Sequence, residues 1–256
     1  MDIVVCIKRV VDVAQVKIDE RTKEPIIAGI PEKTSDFDKN AMEAAIKIME
    51  KMGGSITVVT VGTDAASENV KECLAMGAEK AVILNDAAWQ DLDTHNRAKV
   101  LAAGVKNLGN VDLVLLGVAS IDSYSGQMAS RLAVLLGSSL VTGARSLEGE
   151  ADKLVCEKDM GDTVRTIEAP YPAVVSVTKE ANEPRLPNLM QILAAGNKPL
   201  EMQDASAIGF DNSGLDVGLE TKSLAAVTME RKQQIFEGED AVDQLASEIK
   251  SFLGRS

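Results

Sequence analysis

Residues 111–128 read VDLVLLGVASIDSYSGQM, and this stretch decides the fold class. The largely apolar run 111–116 predicts a buried strand, Gly117 ends it, and residues 128–136 carry apolar side chains at helical spacing. A strand, a loop and a helix start in this order form one unit of an open α/β sheet. Because the first turn of such a helix has free N–H groups and a positive partial charge, the loop is a predicted phosphate site.

Similar units precede this stretch. Strands are predicted at 3–7, 56–61 and 81–84, and helices at 39–52, 65–76 and 96–108. Side chains of residues 34–38 are expected to cap the first of these helices. The alternation predicts an α/β fold with a doubly wound, mostly parallel sheet, and a small hairpin at 16–29 lies outside it.

The pattern changes after Gly137. Residues 146–159 and 163–168 predict an antiparallel hairpin added at the sheet edge, and residues 171–177 predict one more buried strand. A short helix is expected at 189–195.

Two domains are predicted from these elements. Residues 1–196 form the α/β core with its hairpin, and residues 197–256 form an extended C-terminal arm that ends in an amphipathic helix at 240–253. Such an arm predicts docking, either onto the core of this chain or onto a partner.

Composition excludes several classes of function. A formal net charge of −12 and an aromatic share of 3% argue against a nucleic-acid partner. Cys6, Cys73 and Cys156 are widely spaced, and His95 is the single histidine, so neither a metal site nor a disulfide framework is expected. No apolar run approaches the ~18 residues of a membrane helix, and the chain begins directly as a strand, which predicts no membrane insertion and a cytoplasmic location.

No catalytic arrangement is visible in the sequence. Neither Gly-x-Gly-x-x-Gly nor the Gly-x-x-x-x-Gly-Lys-Ser/Thr loop is present, and no Ser-His-Asp set or supported carboxylate pair stands out. His95 lies in a polar run and is predicted to be a surface residue. The chain is therefore predicted to bind a nucleotide without a catalytic residue of its own.

The predicted topology brings several loops to the carboxyl edge of the sheet: residues 6–9, 61–63 and 117–128, with 35–38 beside them. Lys8 and Arg9 either face a ligand there or are solvated loop charges. Asp122 either holds a ribose or caps the following helix. Tyr124 either stacks on an adenine or packs at the loop tip.

Five segments resemble the beta subunits of electron transfer flavoproteins: residues 4–12 (VVCIKRVVD), 73–78 (CLAMGA), 112–122, 172–177 and 182–188 (NEPRLPN). The resemblance covers nearly the whole chain. It implies a Rossmann-like fold of the adenine nucleotide hydrolase type and a heterodimer with a larger alpha subunit that carries a redox-active FAD. The chain would then be an electron-carrier subunit between flavin-dependent, acyl-CoA-type dehydrogenases and an acceptor, and not an independent enzyme.

The resemblance also implies a nucleotide site on this chain, which holds AMP in ordinary members of the family. The alternative is a second FAD, as in electron-bifurcating members that oxidise NADH. The implied site comprises Cys6, Ser35, Asp36, Phe37, Asp38, Val61, Gly117, Val118, Ala119, Ser120, Ile121, Asp122, Ser123, Tyr124, Ser125, Gly126, Gln127 and Met128. The implied partner-recognition loop comprises Asn182, Glu183, Pro184, Arg185, Leu186, Pro187 and Asn188, with Leu186 as the apolar anchor.

Three stretches depart from the family pattern. Ser35 and Asp36 replace the usual Asn-Pro before Phe37, and Tyr124 and Ser125 replace a second acid and a Thr or Asn. Residues 191–198 lack the usual lysine cluster, which predicts docking by apolar contact. A third class of function, a nucleotide-sensing or adenylating module, would require a Ser-Gly-Gly loop after the first strand, where this chain has Lys-Arg-Val.

Overall fold

The structure is a computed structural model that describes residues 1–215, 218–227 and 233–254. Its elements follow the chain in this order: β1 Asp2–Cys6, β2 Arg9–Val11, β3 Lys17–Ile18, β4 Pro25–Ile26, β5 Glu32–Thr34, α1 Asp36–Met52, β6 Ser55–Val61, α2 Ser67–Met76, β7 Lys80–Leu84, α3 Thr94–Asn107, β8 Leu113–Gly117, α4 Met128–Leu136, β9 Ser139–Gly149, β10 Lys153–Asp159, β11 Val164–Pro170, β12 Ala173–Val177, α5 Leu189–Ala195, β13 Leu200–Gln203 and α6 Ala241–Leu253. All the predicted helices are present, with small shifts at their ends.

One sheet of nine strands has the order β11-β10-β9-β12-β8-β1-β6-β7-β13. Ile3 of β1 pairs in parallel with Ile56 on one side and with Leu113 on the other. The chain winds outward from β1 through β6 to β7 and then returns to β8 on the opposite side of β1. This reversal confirms the doubly wound prediction, and it opens a crevice at the carboxyl ends of β1 and β8.

Helices cover both faces of this sheet, and each face has its own apolar core. Ile3 and Val5 pack with residues of α1 and α2, whereas Val4 and Cys6 pack with residues of α3 and α4. Successive residues of a strand point to opposite faces, so a continuous apolar run is required where both faces are covered. This two-sided burial explains why the central strands were recognisable from sequence.

The sheet edge differs from the predicted hairpin. Residues 139–149 form β9, which is parallel to β12 on one side and antiparallel to β10 on the other, and β10 pairs with β11. The predicted two-stranded hairpin is therefore part of a three-stranded antiparallel extension. The start of β9 was not predicted because its residues do not alternate regularly. Gly143 has a φ of +69°, and the strand pairing shifts register along β9.

The predicted extended arm also contains a strand. β13 adds to the sheet edge in parallel with β7. Its four residues read Leu-Glu-Met-Gln and none is fully buried, so they carry no apolar signal. Residues 216–217, 228–232 and 255–256 of this predicted arm lie outside the described ranges.

Contacts divide the chain into two compact units, Met1–Lys17 with Ile26–Ser223 and Ile18–Pro25 with Leu224–Ser256. The first unit contains the nine-stranded sheet. The second contains α6, which is the predicted amphipathic helix, with Asp243 in its first turn and Lys250 in its last. The division at residue 196 and the docking of the arm stay predictions.

The three cysteines are free and buried, as predicted for small apolar side chains. Burial raises the pKa of the Cys6 thiol far above its ordinary value, so this thiol is neutral. Among the described residues, no helix combines the length and the apolar character that crossing a membrane requires.

Candidate functional site

The crevice at the strand ends is a cavity of about 300 Å³ in the first unit. That volume is at the lower end of the range for small-molecule sites. Most of the predicted cofactor residues line it: Cys6, Asp38, Val61, Gly117, Val118, Ala119, Ser120, Ser123, Ser125, Gly126, Gln127 and Met128. The predicted meeting of three loops at this edge is therefore present.

The other predicted site residues lie around the crevice without lining it: Ser35, Asp36, Phe37, Ile121, Asp122 and Tyr124. Ser35 is buried, and its Oγ has no hydrogen-bond partner within the described ranges. Asp36 is exposed and forms an ion pair of 3.0 Å with Lys33. The expected capping of α1 by a side chain is wrong, because Ser35 at the N-cap makes no such bond.

Asp38 joins the two strands that flank the crevice. Its Oδ2 accepts from the backbone N–H of Lys8 at 2.8 Å, and its Oδ1 accepts from the N–H of Gly117 at 2.9 Å. Burial raises the pKa of Asp38 to about 7, although both N–H bonds and the nearby Lys8 charge favour its ionised form. Asp38 therefore fixes the ends of β1 and β8 relative to each other.

Gly117 leaves room for that contact. A Cβ at position 117 would lie 2.6 Å from Asp38 Oδ1 and 2.6 Å from the Cβ of Phe37. Only glycine permits this close approach of β8 to the start of α1.

Lys8 and Asp122 form an ion pair at the crevice. Lys8 Nζ lies 2.7 Å from Asp122 Oδ2, and the Asp122 side chain is 27% exposed. Burial opposes ionisation of Asp122, but the bonds from Lys8 and Ser120 outweigh it and hold the pKa of this carboxyl below its ordinary value. The capping interpretation of Asp122 is wrong, since α4 begins only at Met128 and has Gln127 at its N-cap.

Arg9, the neighbour of Lys8, does not line the crevice. It is part of β2 and pairs with Glu32 of β5 at 2.5 Å. Of the basic pair at the end of the first strand, only Lys8 reaches the site.

Tyr124 stands at the tip of the loop. It has φ of +49°, its side chain is 69% exposed, and its ring edge contacts Phe37 at a centroid distance of 6.0 Å. A positive φ is uncommon for a bulky residue. The contact with Phe37 matches the packing interpretation of this tyrosine.

The start of α4 faces the crevice with Gly126, Gln127 and Met128. The first N–H groups of any α-helix have no acceptor inside the helix, and the N-cap here supplies no side-chain bond. The Gln127 side chain instead accepts from Arg131 at 2.8 Å. This helix start can therefore donate backbone hydrogen bonds to an anion.

Sequence reasoning missed one wall of the crevice, which consists of Leu92, Asp93, Thr94, Arg97, Leu101 and Thr221. Arg97 lies in the first turn of α3, where Asp93 caps the helix by accepting from the N–H of Asn96 at 2.8 Å. One signal could have found this wall. The predicted helix at 96–108 follows a parallel strand of the same sheet, so its first turn lies at the carboxyl edge of that sheet, where the crevice is. His95 is exposed as predicted, and it contacts Arg131 at 2.9 Å.

A second cavity of about 500 Å³ adjoins the crevice, because Val118 and Gly126 line both. Its other wall belongs to β9, β10 and β12. Arg145 and Lys158 supply two cationic side chains there, and Lys158 Nζ donates to Thr142 Oγ1 at 2.9 Å.

The predicted recognition loop is held against α1. Asn40 Nδ2 donates to the carbonyl of Asn182 at 2.8 Å, and Asn182 Nδ2 donates to the carbonyl of Asn40 at 3.0 Å. Arg185 binds the buried carboxylate of Glu43 at 2.8 Å and the exposed carboxylate of Glu50 at 2.6 Å.

These bonds leave Leu186 projecting from the loop, with its side chain 92% exposed. Helix α5 follows at once, with a capping box between Asn188 and Gln191. Four large apolar side chains of this helix are exposed as well: Leu189, Met190, Ile192 and Leu193. The loop and helix together present an apolar surface, which we call the α5 surface.

Comparison with known proteins agrees with this fold. The family model described as Electron transfer flavoprotein domain matches residues 26–208. Electron transfer flavoprotein subunit beta of Thermoanaerobacterium thermosaccharolyticum is 37% identical over 98% of both chains. Subunit CarD of the caffeyl-CoA reductase-Etf complex of Acetobacterium woodii is 38% identical over 82% of this chain and 80% of its own. Electron transfer flavoprotein subunit beta of Clostridium acetobutylicum is 35% identical over 91% of this chain and 90% of its own.

The doubly wound sheet with its crevice at the strand reversal defines a Rossmann-like α/β protein. The chain belongs to the electron transfer flavoprotein family, and the relatives it matches over most of its length include beta subunits of that family.

Proposed function

We propose that this chain pairs with an alpha subunit and carries electrons between flavin-dependent dehydrogenases and an acceptor. The single observation that carries the proposal is the match to a beta subunit along 98% of both chains. FAD, held mainly by the alpha subunit, supplies the redox chemistry when bound. The residues of this chain bind a nucleotide and present a docking surface, and the three buried thiols fit the reducing conditions of the cytoplasm.

The proposed ligand of the crevice is AMP. The residues present fit an adenine nucleotide, because the start of α4, whose N-cap supplies no side-chain bond, suits a phosphate, and the walls combine apolar side chains with polar and charged ones. Asp38 holds the two flanking strand ends in place. Lys8 lines the crevice, where its ammonium group can donate to a ribose hydroxyl group, and Asp122 holds that ammonium group by the ion pair.

The alternative is a subunit of an electron-bifurcating complex with a second FAD on this chain. Two observations favour it: the 38% identity to a subunit of a caffeyl-CoA reductase-Etf complex, and the second cavity that shares Val118 and Gly126 with the crevice. FAD is longer than AMP, so its flavin half would need such an adjoining space. Arg145 and Lys158 would then lie near the flavin half.

Nucleotide content of the purified heterodimer decides between the two functions. Extraction should give one FAD and one AMP per heterodimer for the carrier, and two FAD without AMP for the bifurcating complex. Arg145→Gln serves as a matched variant, because this residue lines only the second cavity. It should leave AMP content unchanged in a carrier and lower flavin content in a bifurcating complex. Heterodimer without any nucleotide besides the FAD of the alpha subunit would contradict both.

The proposed docking surface for the dehydrogenase is the α5 surface. Its support is the large exposure of Leu186 together with the four apolar side chains of α5. Contiguous exposed apolar side chains mark interaction sites on soluble proteins.

A further inference from the structure

Arg97 is a half-buried cation at the crevice, and no carboxylate of the described residues is paired with it. Its Nη1 donates to the carbonyl of Val61 at 3.4 Å, and its Nη2 donates to the carbonyl of Leu92 at 3.3 Å. Both bonds are long, and they use two of the five N–H groups of a guanidinium. Within the described ranges, no Asp or Glu side chain lies at ion-pair distance from Arg97.

A half-buried guanidinium without a paired carboxylate is unfavourable unless an anion binds to it. Taking a charge out of water without a counter-ion is unfavourable in general. Burial lowers the pKa of Arg97 below its ordinary value, while the more distant Asp122 and Asp91 oppose that shift. An arginine nevertheless stays charged at neutral pH.

The other charged groups of the crevice already have partners. Lys8 is paired with Asp122. Asp38 accepts two backbone N–H bonds, and Asp93 accepts from the N–H groups of Asn96 and Leu219. Among the charged residues that the structure describes in this cavity, Arg97 is therefore the one whose charge is not matched. The start of α4 lines the same cavity.

We propose that Arg97 binds a phosphate oxygen of the crevice nucleotide and selects phosphorylated nucleotides over nucleosides. This proposal rests on the proposed function, in which the crevice holds an adenine nucleotide. The planar guanidinium suits a phosphate because it can donate two parallel hydrogen bonds, which a lysine cannot.

The test compares AMP with adenosine, which lacks the phosphate. Both are titrated calorimetrically into heterodimer freed of its exchangeable nucleotide, as wild type, Arg97→Gln, Arg97→Lys and the control Lys106→Gln from the last turn of the same helix. Arg97→Gln should weaken AMP binding about tenfold to a hundredfold, the usual range for a bond to a charged group. Adenosine binding should change less than about twofold, and Arg97→Lys should fall between.

Two results would overturn the proposal while leaving the proposed function intact. Equal losses for AMP and adenosine would mean that Arg97 only holds the carbonyls of Val61 and Leu92. Unchanged affinity for both would mean that it is a solvated charge. If wild type binds neither compound, the crevice nucleotide itself is wrong and both proposals fail.

A measurement on the wild-type heterodimer covers the case in which the variants do not assemble. Phenylglyoxal modifies accessible arginines, and mass spectrometry reports the extent at each site. AMP should protect Arg97 and adenosine should not, whereas Arg165, exposed on β11, should react equally in both. Equal modification of Arg97 with either compound would contradict phosphate binding.

Discussion

At the scale of single residues, we expect Asp38 to make the stability of the protein depend on pH. Its folded pKa is about 7 against an ordinary value of 3.8, because burial outweighs the bonds from Lys8 and Gly117 and the charge of Lys8. Between these two values the folded protein keeps a proton that the unfolded chain releases. The free energy of unfolding should therefore fall as pH rises through this range, by up to about 1.4 kcal/mol per pH unit.

Asp38→Asn should remove that contribution, since an amide does not titrate there. Urea unfolding at several pH values between about 4 and 8 measures it. The variant should be less stable at low pH, because one of the two N–H acceptors is lost, and its pH slope should be shallower. An unchanged slope would assign the pH dependence to another group.

Gly117→Ala should prevent binding of the proposed crevice nucleotide. The added Cβ meets Asp38 Oδ1 and the Cβ of Phe37 at 2.6 Å, so β8 must shift away from α1. We expect a loss of about 1–3 kcal/mol in the free energy of unfolding together with loss of AMP from the purified heterodimer. Gly214→Ala is the control, because its Cβ would have no atom within 4 Å. Full AMP content in Gly117→Ala would show that the close approach is unnecessary.

At the scale of elements, α5 and the loop before it form the α5 surface, which is the proposed docking surface for the dehydrogenase. Leu186→Ala should lower kcat/KM for reduction by the partner dehydrogenase about tenfold or more, as expected for a central apolar anchor. Ile27→Ala, an exposed apolar residue elsewhere, is the control. Because α5 carries no charged residue, the rate should depend weakly on ionic strength. Unchanged rates for Leu186→Ala would exclude the loop from docking.

The loop also depends on its attachment to α1. Glu43 is buried, and Arg185 donates to both of its carboxylate oxygens, at 2.8 and 3.0 Å. Glu43→Gln should increase hydrogen exchange across residues 182–188 and lower the rate of reduction, with nucleotide content unchanged. Glu50→Gln is the matched control and should have a smaller effect, since the Glu50 side chain is 53% exposed. Equal effects of the two changes would argue against a special role of the buried carboxylate.

The elements that sequence reasoning found and missed differ in burial. Central strands such as β8 are covered on both faces, so every residue is apolar up to the glycine and the pattern is unmistakable. Strand β13 lies at the sheet edge with polar residues, and β9 contains Gly143 at positive φ. An edge strand needs few apolar residues, because it forms by pairing with the neighbouring strand. Its own sequence therefore gives little sign of it.

The site was predictable where it follows from topology. Cys6, Val61 and Gly117 meet because parallel strands end at one edge. Arg97 was not predicted as a residue of this crevice, because the helix at 96–108 was recognised from its apolar positions alone. The sequence could not decide whether Asp122 binds a ribose or caps a helix. Its actual partner, Lys8, lies far away in sequence, and only the tertiary fold brings the two side chains together.

At the scale of the whole molecule, the crevice lies between the two halves of the sheet, so a nucleotide there should stabilise the entire first unit. At one hundred times its dissociation constant, AMP should raise the free energy of unfolding by about 2.7 kcal/mol. Thermal unfolding of the heterodimer with and without AMP measures the shift, and Gly117→Ala should show none. A shift of equal size in that variant would place AMP outside the crevice.

Helix α1 contacts both the crevice and the loop before α5, so its length fixes the distance between them. Asp38 in its first turn bonds to the crevice residue Gly117, and Glu43 further along holds the loop that carries Leu186. At a rise of 1.5 Å per residue the Cα atoms of the two residues are about 7.5 Å apart along the axis. One residue inserted between them would rotate Glu43 by about 100° around the axis. In the proposed function, the length of this one helix would therefore set the separation between the nucleotide and the dehydrogenase.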